Sequence, residues 1–134
     1  MNPAQISREL PNGFHGSHIE KISTDYAQRT AGFSLAVLVP ESSTDEVRLR
    51  SCKLTITGLA YLSLSVPNPR YDYASGSAIE TGSLLESTTK ILPSLAALQQ
   101  DLGVGYFFNS FFVEEWNGFI HFAGKDAEFS WTAP

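Results

Sequence analysis

Apolar and polar residues alternate most densely between Asn12 and Pro40, in the stretch NGFHGSHIEKISTDYAQRTAGFSLAVLVP. From Ile19 to Tyr26, residues Ile22, Thr24 and Tyr26 share a face at period two, while Ile19 falls out of phase. That pattern predicts a strand with a bulge near Glu20 or Lys21. Ala27 to Thr30 reads as a turn. From Gly32 to Val39, Phe33, Leu35, Val37 and Val39 line one face, with Ala36 and Leu38 on the other. A strand partly apolar on both faces is expected to be covered on two sides. The remaining strands are expected to lie against this hairpin.

The rest of the chain follows the same grammar. Residues 1–13 read as an N-terminal arm with a weak helical spacing at Ile6 and Leu10, ended by turn chemistry at Pro11-Asn12-Gly13. Residues 41–46 form a polar loop. Val47 to Thr57, with Cys52, Leu54 and Ile56 inward, and Leu59 to Val66 predict a second hairpin around Gly58. Residues 67–84 are rich in proline, glycine and serine, and read as a long surface loop holding one short strand near Ala78 to Thr81. Pro93 to Leu102 predicts one helix. Proline suits its first position, Leu95, Leu98 and Leu102 make the stripe, and Gly103 stands at the C-cap. Tyr106 to Val113, aromatic on both faces, reads as a central buried strand. A turn at Glu115 to Gly118 leads to a strand from Phe119 to Ala123. Gly124 to Asp126 turns again, and Ala127 to Trp131 closes a meander. The expected fold is mainly β (α+β), in one domain spanning residues 1–134. It is an antiparallel sandwich or strongly curved sheet of about seven or eight strands with one helix.

Composition narrows the function classes. With 134 residues, 43% of them apolar and 17% charged, the chain can bury a core without metal or disulfide. The single cysteine, Cys52, has no partner for an internal disulfide, which fits a reducing cytoplasm. No signal-like apolar stretch opens the chain, and no run reaches the roughly eighteen apolar residues of a membrane span. Nine basic and fourteen acidic residues leave a net charge of −5, which argues against nucleic acid and suits a basic protein partner.

Candidate chemistry is sparse. His15 and His18 form H-x-x-H at the hairpin entrance, with His121 and Asp126 far along the chain. In an extended chain an odd spacing sends the two histidines to opposite faces, and no Cys pair, H-E-x-x-H or acidic calcium loop accompanies them. We therefore expect no metal and no cofactor. Phe14 and Ile19 are expected to anchor the entrance loop, with Gly16 at positive φ. His15 would staple the loop to the backbone, and His18 would be the more exposed of the two. Cys52 reads as a packing residue, and no G-x-S-x-G elbow is present. Gly103-Val104-Gly105 follows a helix, the reverse of a dinucleotide fingerprint. The candidate binding residues are His15 and His18 together with Arg70, Tyr71 and Tyr73 of the long loop, a mixture common at protein interfaces.

The opening F-H-G-S-H-I-x-x-I, Phe14 to Ile22, followed by a strand, resembles the start of small bacterial proteins of unknown function. Many of those carry F-H-D-A before a strand-rich body. Gly16 and Ser17 stand here where Asp and Ala are frequent, which removes an acidic neighbour of His15. Size, acidity and strand content are also similar at the level of class to bacterial immunity proteins, which neutralise toxins. Acidity, small size, the absence of a catalytic constellation and the Arg70-Tyr71-Asp72-Tyr73 stretch lead us to expect a non-enzymatic cytoplasmic domain that binds a protein partner, as an immunity protein would. The two-faced aromatic strand Tyr106 to Val113 leads us to expect a homodimer. The alternative is a small-molecule binder or enzyme using the polar entrance near His15.

Overall fold

Ile19 can join the core only if the chain slips, and it does. β1 (His18–Asp25) and β2 (Thr30–Pro40) pair antiparallel, with the register shifting between Ile19 and Lys21. The bulge sets Ile19 opposite Leu35 and Ile22 opposite Phe33, so both isoleucines face inward. The computed structural model describes residues 1–40, 46–64, 77–83, 93–113 and 118–132. Within it β3 (Val47–Thr57) pairs with the full length of β2, and β8 (Asp126–Trp131) pairs with β3.

The second sheet is built from β4 (Tyr61–Leu64), β7 (Gly118–Gly124) and β6 (Phe107–Val113). β5 (Ser77–Ser83), inside the expected long loop, ties the two sheets together. It pairs with β6, but with β1 only through His18↔Ala78 and Ile19↔Ser77. The order is β4-β7-β6-β5-β1-β2-β3-β8, all antiparallel, with β4 and β8 at its two ends.

Two strands cross between sheets side by side. β3 turns into β4 at Gly58, which takes φ +60, and β7 turns into β8 at Gly124 and Lys125. The Lys125 N–H donates to the Thr57 carbonyl at 3.0 Å, and the Ala60 N–H to the Ala123 carbonyl at 2.9 Å. A Cβ on Gly124 would sit 2.5 Å from Ile56 Cγ2 and 3.0 Å from the Thr57 oxygen. Only glycine lets the two corners approach this closely.

The inner faces meet on four buried phenylalanines. Phe14 lies 5.4 Å from Phe111, Phe111 5.3 Å from Phe122, and Phe33 5.1 Å from Phe122, all tilted or edge-on. Leu35, Val37, Leu54 and Ile56 complete the core from one sheet, and Val113 and Ile120 from the other.

The expected arm contains a helix, α1 (Pro3–Glu9). Asn2 caps it. Its side chain accepts the Gln5 N–H at 2.9 Å, and the Gln5 side chain accepts the Asn2 N–H at 2.8 Å. Pro3 needs no hydrogen-bond partner in the first turn. Ile6 and Leu10 fall on one side and are buried in the core cluster. The second helix, α2 (Pro93–Leu102), has the expected bounds and ends at Gly103 with φ +77. Among the described residues, two helices therefore stand where one was expected.

Candidate functional site

The entrance loop is shaped by backbone geometry. Gly13 and Gly16 take φ +55 and +76, the second as the sequence predicts. Asn12 Nδ2 donates to the His15 carbonyl at 3.0 Å, and the Ser17 N–H donates to the Phe14 carbonyl at 3.1 Å. Phe14 and Ile19 anchor the loop in the core. The Asn12 amide thus ties the loop at the carbonyl of His15. The order of burial reverses the expectation, with His15 exposed and His18 half-buried. The buried polar residue is Ser17, at 0% exposure, and its Oγ has no hydrogen-bond partner.

Strand phase places this loop beside an apolar patch. His18 pairs with Ala36 and so lies on the outer face of β1–β2. On that face Leu38 pairs with Leu49, and Pro40 with Val47. A Cβ on Gly16 would stand 2.7 Å from Leu38 Cδ1, so the loop rests on Leu38. Val47 is 61% and Leu49 42% exposed. The loop carrying His15 and the strand position of His18 thus lie beside Leu38, whose ladder partner is Leu49, with Val47 two residues further along the sheet. Arg70, Tyr71 and Tyr73 lie outside the described residues.

A second polar constellation was missed by sequence reasoning. In the β6–β7 register Ser110 faces His121. Ser110 Oγ lies 2.6 Å from His121 Nδ1, at 1% and 3% exposure. The imidazole stacks on Phe119 at 5.2 Å and 13°. Burial pushes the His121 pKa below its ordinary 6.5, which favours the neutral ring. With the Ser110 hydroxyl donating to Nδ1, the ring proton sits on Nε2. A serine nucleophile bonds the Nε2 of its base, whereas this hydroxyl meets Nδ1, and both groups are buried. The pair acts as a polar lock between two strands. The pairing follows from the β6–β7 register, in which Val113 opposes Gly118, whereas a turn centred on the expected Glu115 to Gly118 would set Ser110 opposite Ala123.

The other candidates are quiet. Cys52 is buried, and burial first, then the charge of Glu20, pushes its thiol up to about 12. Such a thiol stays protonated and is a poor nucleophile. Among the described residues, no three His, Cys, Asp or Glu side chains gather as metal ligands, and no helix is long and apolar enough to cross a membrane. Two surface depressions, of about 300 and 200 Å³, lie beside Gln5, Tyr106 and Lys125 and between Tyr26 and Tyr61, and neither is lined by His15 or His18. Comparison with family models, curated proteins and solved structures yields no match.

Proposed function

We propose that this chain is a non-enzymatic, cytoplasmic, immunity-like domain that docks a protein partner on the outer face of the β2–β3 hairpin. The observation carrying this reading is the exposure of Val47 and Leu49 beside Leu38, Pro40 and the two entrance histidines. Exposed branched apolar side chains grouped on one sheet face lose water on docking, and such patches mark interaction sites. Each Val or Leu fully buried contributes about 1.5–3 kcal/mol. The net charge of −5 adds long-range attraction toward a basic partner. The test compares wild type with Leu49→Asp in capture from native-host extract. A stoichiometric partner retained by wild type and lost by a folded Leu49→Asp supports the patch. Recovery of no stoichiometric partner, or equal capture by both proteins, refutes it.

The same chain is proposed to self-associate through a sheet edge, on a surface distinct from this patch. The alternative reading, a small-molecule site at the entrance, draws on the unpartnered Ser17 hydroxyl between the two histidines.

A further inference from the structure

β8 ends one side of the strand order, and its hydrogen-bonding phase can be read from two bonds. The Thr132 N–H donates to the Ser51 carbonyl at 3.1 Å, in register with Lys53↔Ser130 and Thr55↔Glu128. Main-chain groups in an antiparallel ladder alternate in direction along each strand. Glu128, Ser130 and Thr132 therefore turn toward β3, and Ala127, Phe129 and Trp131 turn outward. The Ala127 N–H agrees, since it leaves the sheet and donates to the Met1 carbonyl at 2.7 Å. Beyond that bond, no strand among the described residues pairs with this edge. Phe129 and Trp131 thus present two N–H and two C=O groups outward.

We propose that a second copy of this chain occupies that edge, β8 against β8, with the two-fold axis at Ser130. The proposal rests on the self-association reading above and adds its register. An antiparallel copy centred on Ser130 sets Phe129 opposite Trp131 of the second copy. Every outward donor then meets an outward acceptor, giving four main-chain hydrogen bonds. Phe129 and Trp131 share the core-side face of the strand, so the dimer also forms two cross-strand aromatic pairs.

Charge and occupancy reject the neighbouring registers. An axis at Glu128 places two carboxylates face to face, and an axis at Phe129 requires the Ala127 N–H that Met1 already holds. An axis at Trp131 sets the two indoles opposite each other. Arg50 lies over the Trp131 ring at 4.2 Å, so that register also gathers two guanidinium groups. At Ser130 the axial residue is exposed, small and uncharged, and the two Arg50 side chains stay apart. The short contact falls well below the roughly 1,600 Å² of a tight complex, so the dimer is weak and depends on concentration.

The test uses the full chain. At the axis, opposed residues form a non-hydrogen-bonded pair with Cα atoms about 4.5 Å apart, within disulfide reach. Ser130→Cys should oxidise to a covalent dimer, while Glu128→Cys, exposed on the same face of the strand, should not. Cys52 is buried and does not compete. Ser130→Lys should raise the dimer dissociation constant about fivefold or more, and mixing Ser130→Lys with Ser130→Glu should restore the dimer. A monomer mass for wild type at high micromolar concentration overturns self-association and this register together. A wild-type dimer in which Ser130→Cys fails to cross-link, or cross-links no better than Glu128→Cys, overturns the register alone.

Discussion

At the hairpin entrance one histidine faces solvent, the other is half-buried, and the serine between them is buried with an unsatisfied hydroxyl. On β6–β7 a serine and a histidine are both buried, and each satisfies the other at 2.6 Å. The residue types are the same, and the difference lies in the backbone that carries them. Paired strands fix which residues oppose one another, so a polar pair can be buried with its geometry guaranteed. A loop wound through positive-φ glycines offers no such partner. It satisfies its amides locally, as Ser17 N–H does on Phe14, and leaves the side chain to chance. The entrance stays in place through apolar anchoring by Phe14, and the ladder is held by the polar pair in addition to packing.

The hardest test of that contrast is the residue that joins the two regions. Phe111 sits on β6 next to Ser110 and meets Phe14 of the entrance at 5.4 Å and Phe122 at 5.3 Å. Phe111→Ala should cost about 3–5 kcal/mol in urea unfolding, and Phe14→Ala a similar amount. A double-mutant cycle should return a coupling of about 0.5–1.5 kcal/mol. Zero coupling would mean that the entrance and the ladder are held independently.

Next in size is the polar lock. Ser110→Ala strands His121 Nδ1 in a buried site and should lose about 1–3 kcal/mol. Replacing both partners, Ser110→Ala with His121→Phe, should recover part of that loss, because the imidazole nitrogen left without the Ser110 hydroxyl is then removed as well. A double variant as unstable as the single would show that the pair itself contributes little.

The lock also has a pH signature. Burial lowers the folded-state pKa of His121, so the unfolded chain binds the proton more readily as pH falls. The stabilising contribution is complete above the ordinary 6.5 and is lost as pH drops from there through the lowered folded value. Melting temperature should therefore fall across that window in wild type. It should fall less in His121→Gln, which keeps a hydrogen-bonding side chain without the titration. Parallel curves for the two proteins would assign the acid sensitivity elsewhere.

Period two made most of the fold legible. The bulge came from the phase slip at Ile19 and the α2 bounds from Pro93 and Gly103. The hairpin expected around Gly58 and the meander expected to close after Gly124 do not form, because β3 pairs with β2 and β8 while β4 pairs with β7. The α1 helix escaped because its signal is an end effect, Asn2 and Gln5 exchanging bonds, and its apolar stripe holds only Ile6 and Leu10. The role of β5 as the link between sheets was not legible, since a short strand amid glycine and serine carries no record of its partners. The candidate site rests on signals of two kinds. His15 and His18 were marked by sequence, but their apolar neighbours Leu38 and Leu49 come from the β2–β3 register. Ser110 and His121 looked unrelated because proximity depends on where a hairpin turns.

The smallest effect concerns Ser17, and its sign matters more than its size. A buried hydroxyl without a partner has given up its bonds to water and gained nothing in return. Ser17→Ala removes one oxygen and keeps Cβ, the backbone and the Ser17 N–H bond to Phe14. It should be neutral or stabilise the fold by up to about 1 kcal/mol, opposite in sign to Ser110→Ala. Thermal and urea unfolding of the two variants side by side would read this directly. A loss of more than about 1 kcal/mol at Ser17 would mean that its hydroxyl is bonded in solution, for instance to a trapped water. The entrance would then belong with the β6–β7 pair as a satisfied polar site, and the contrast between the two regions would fail.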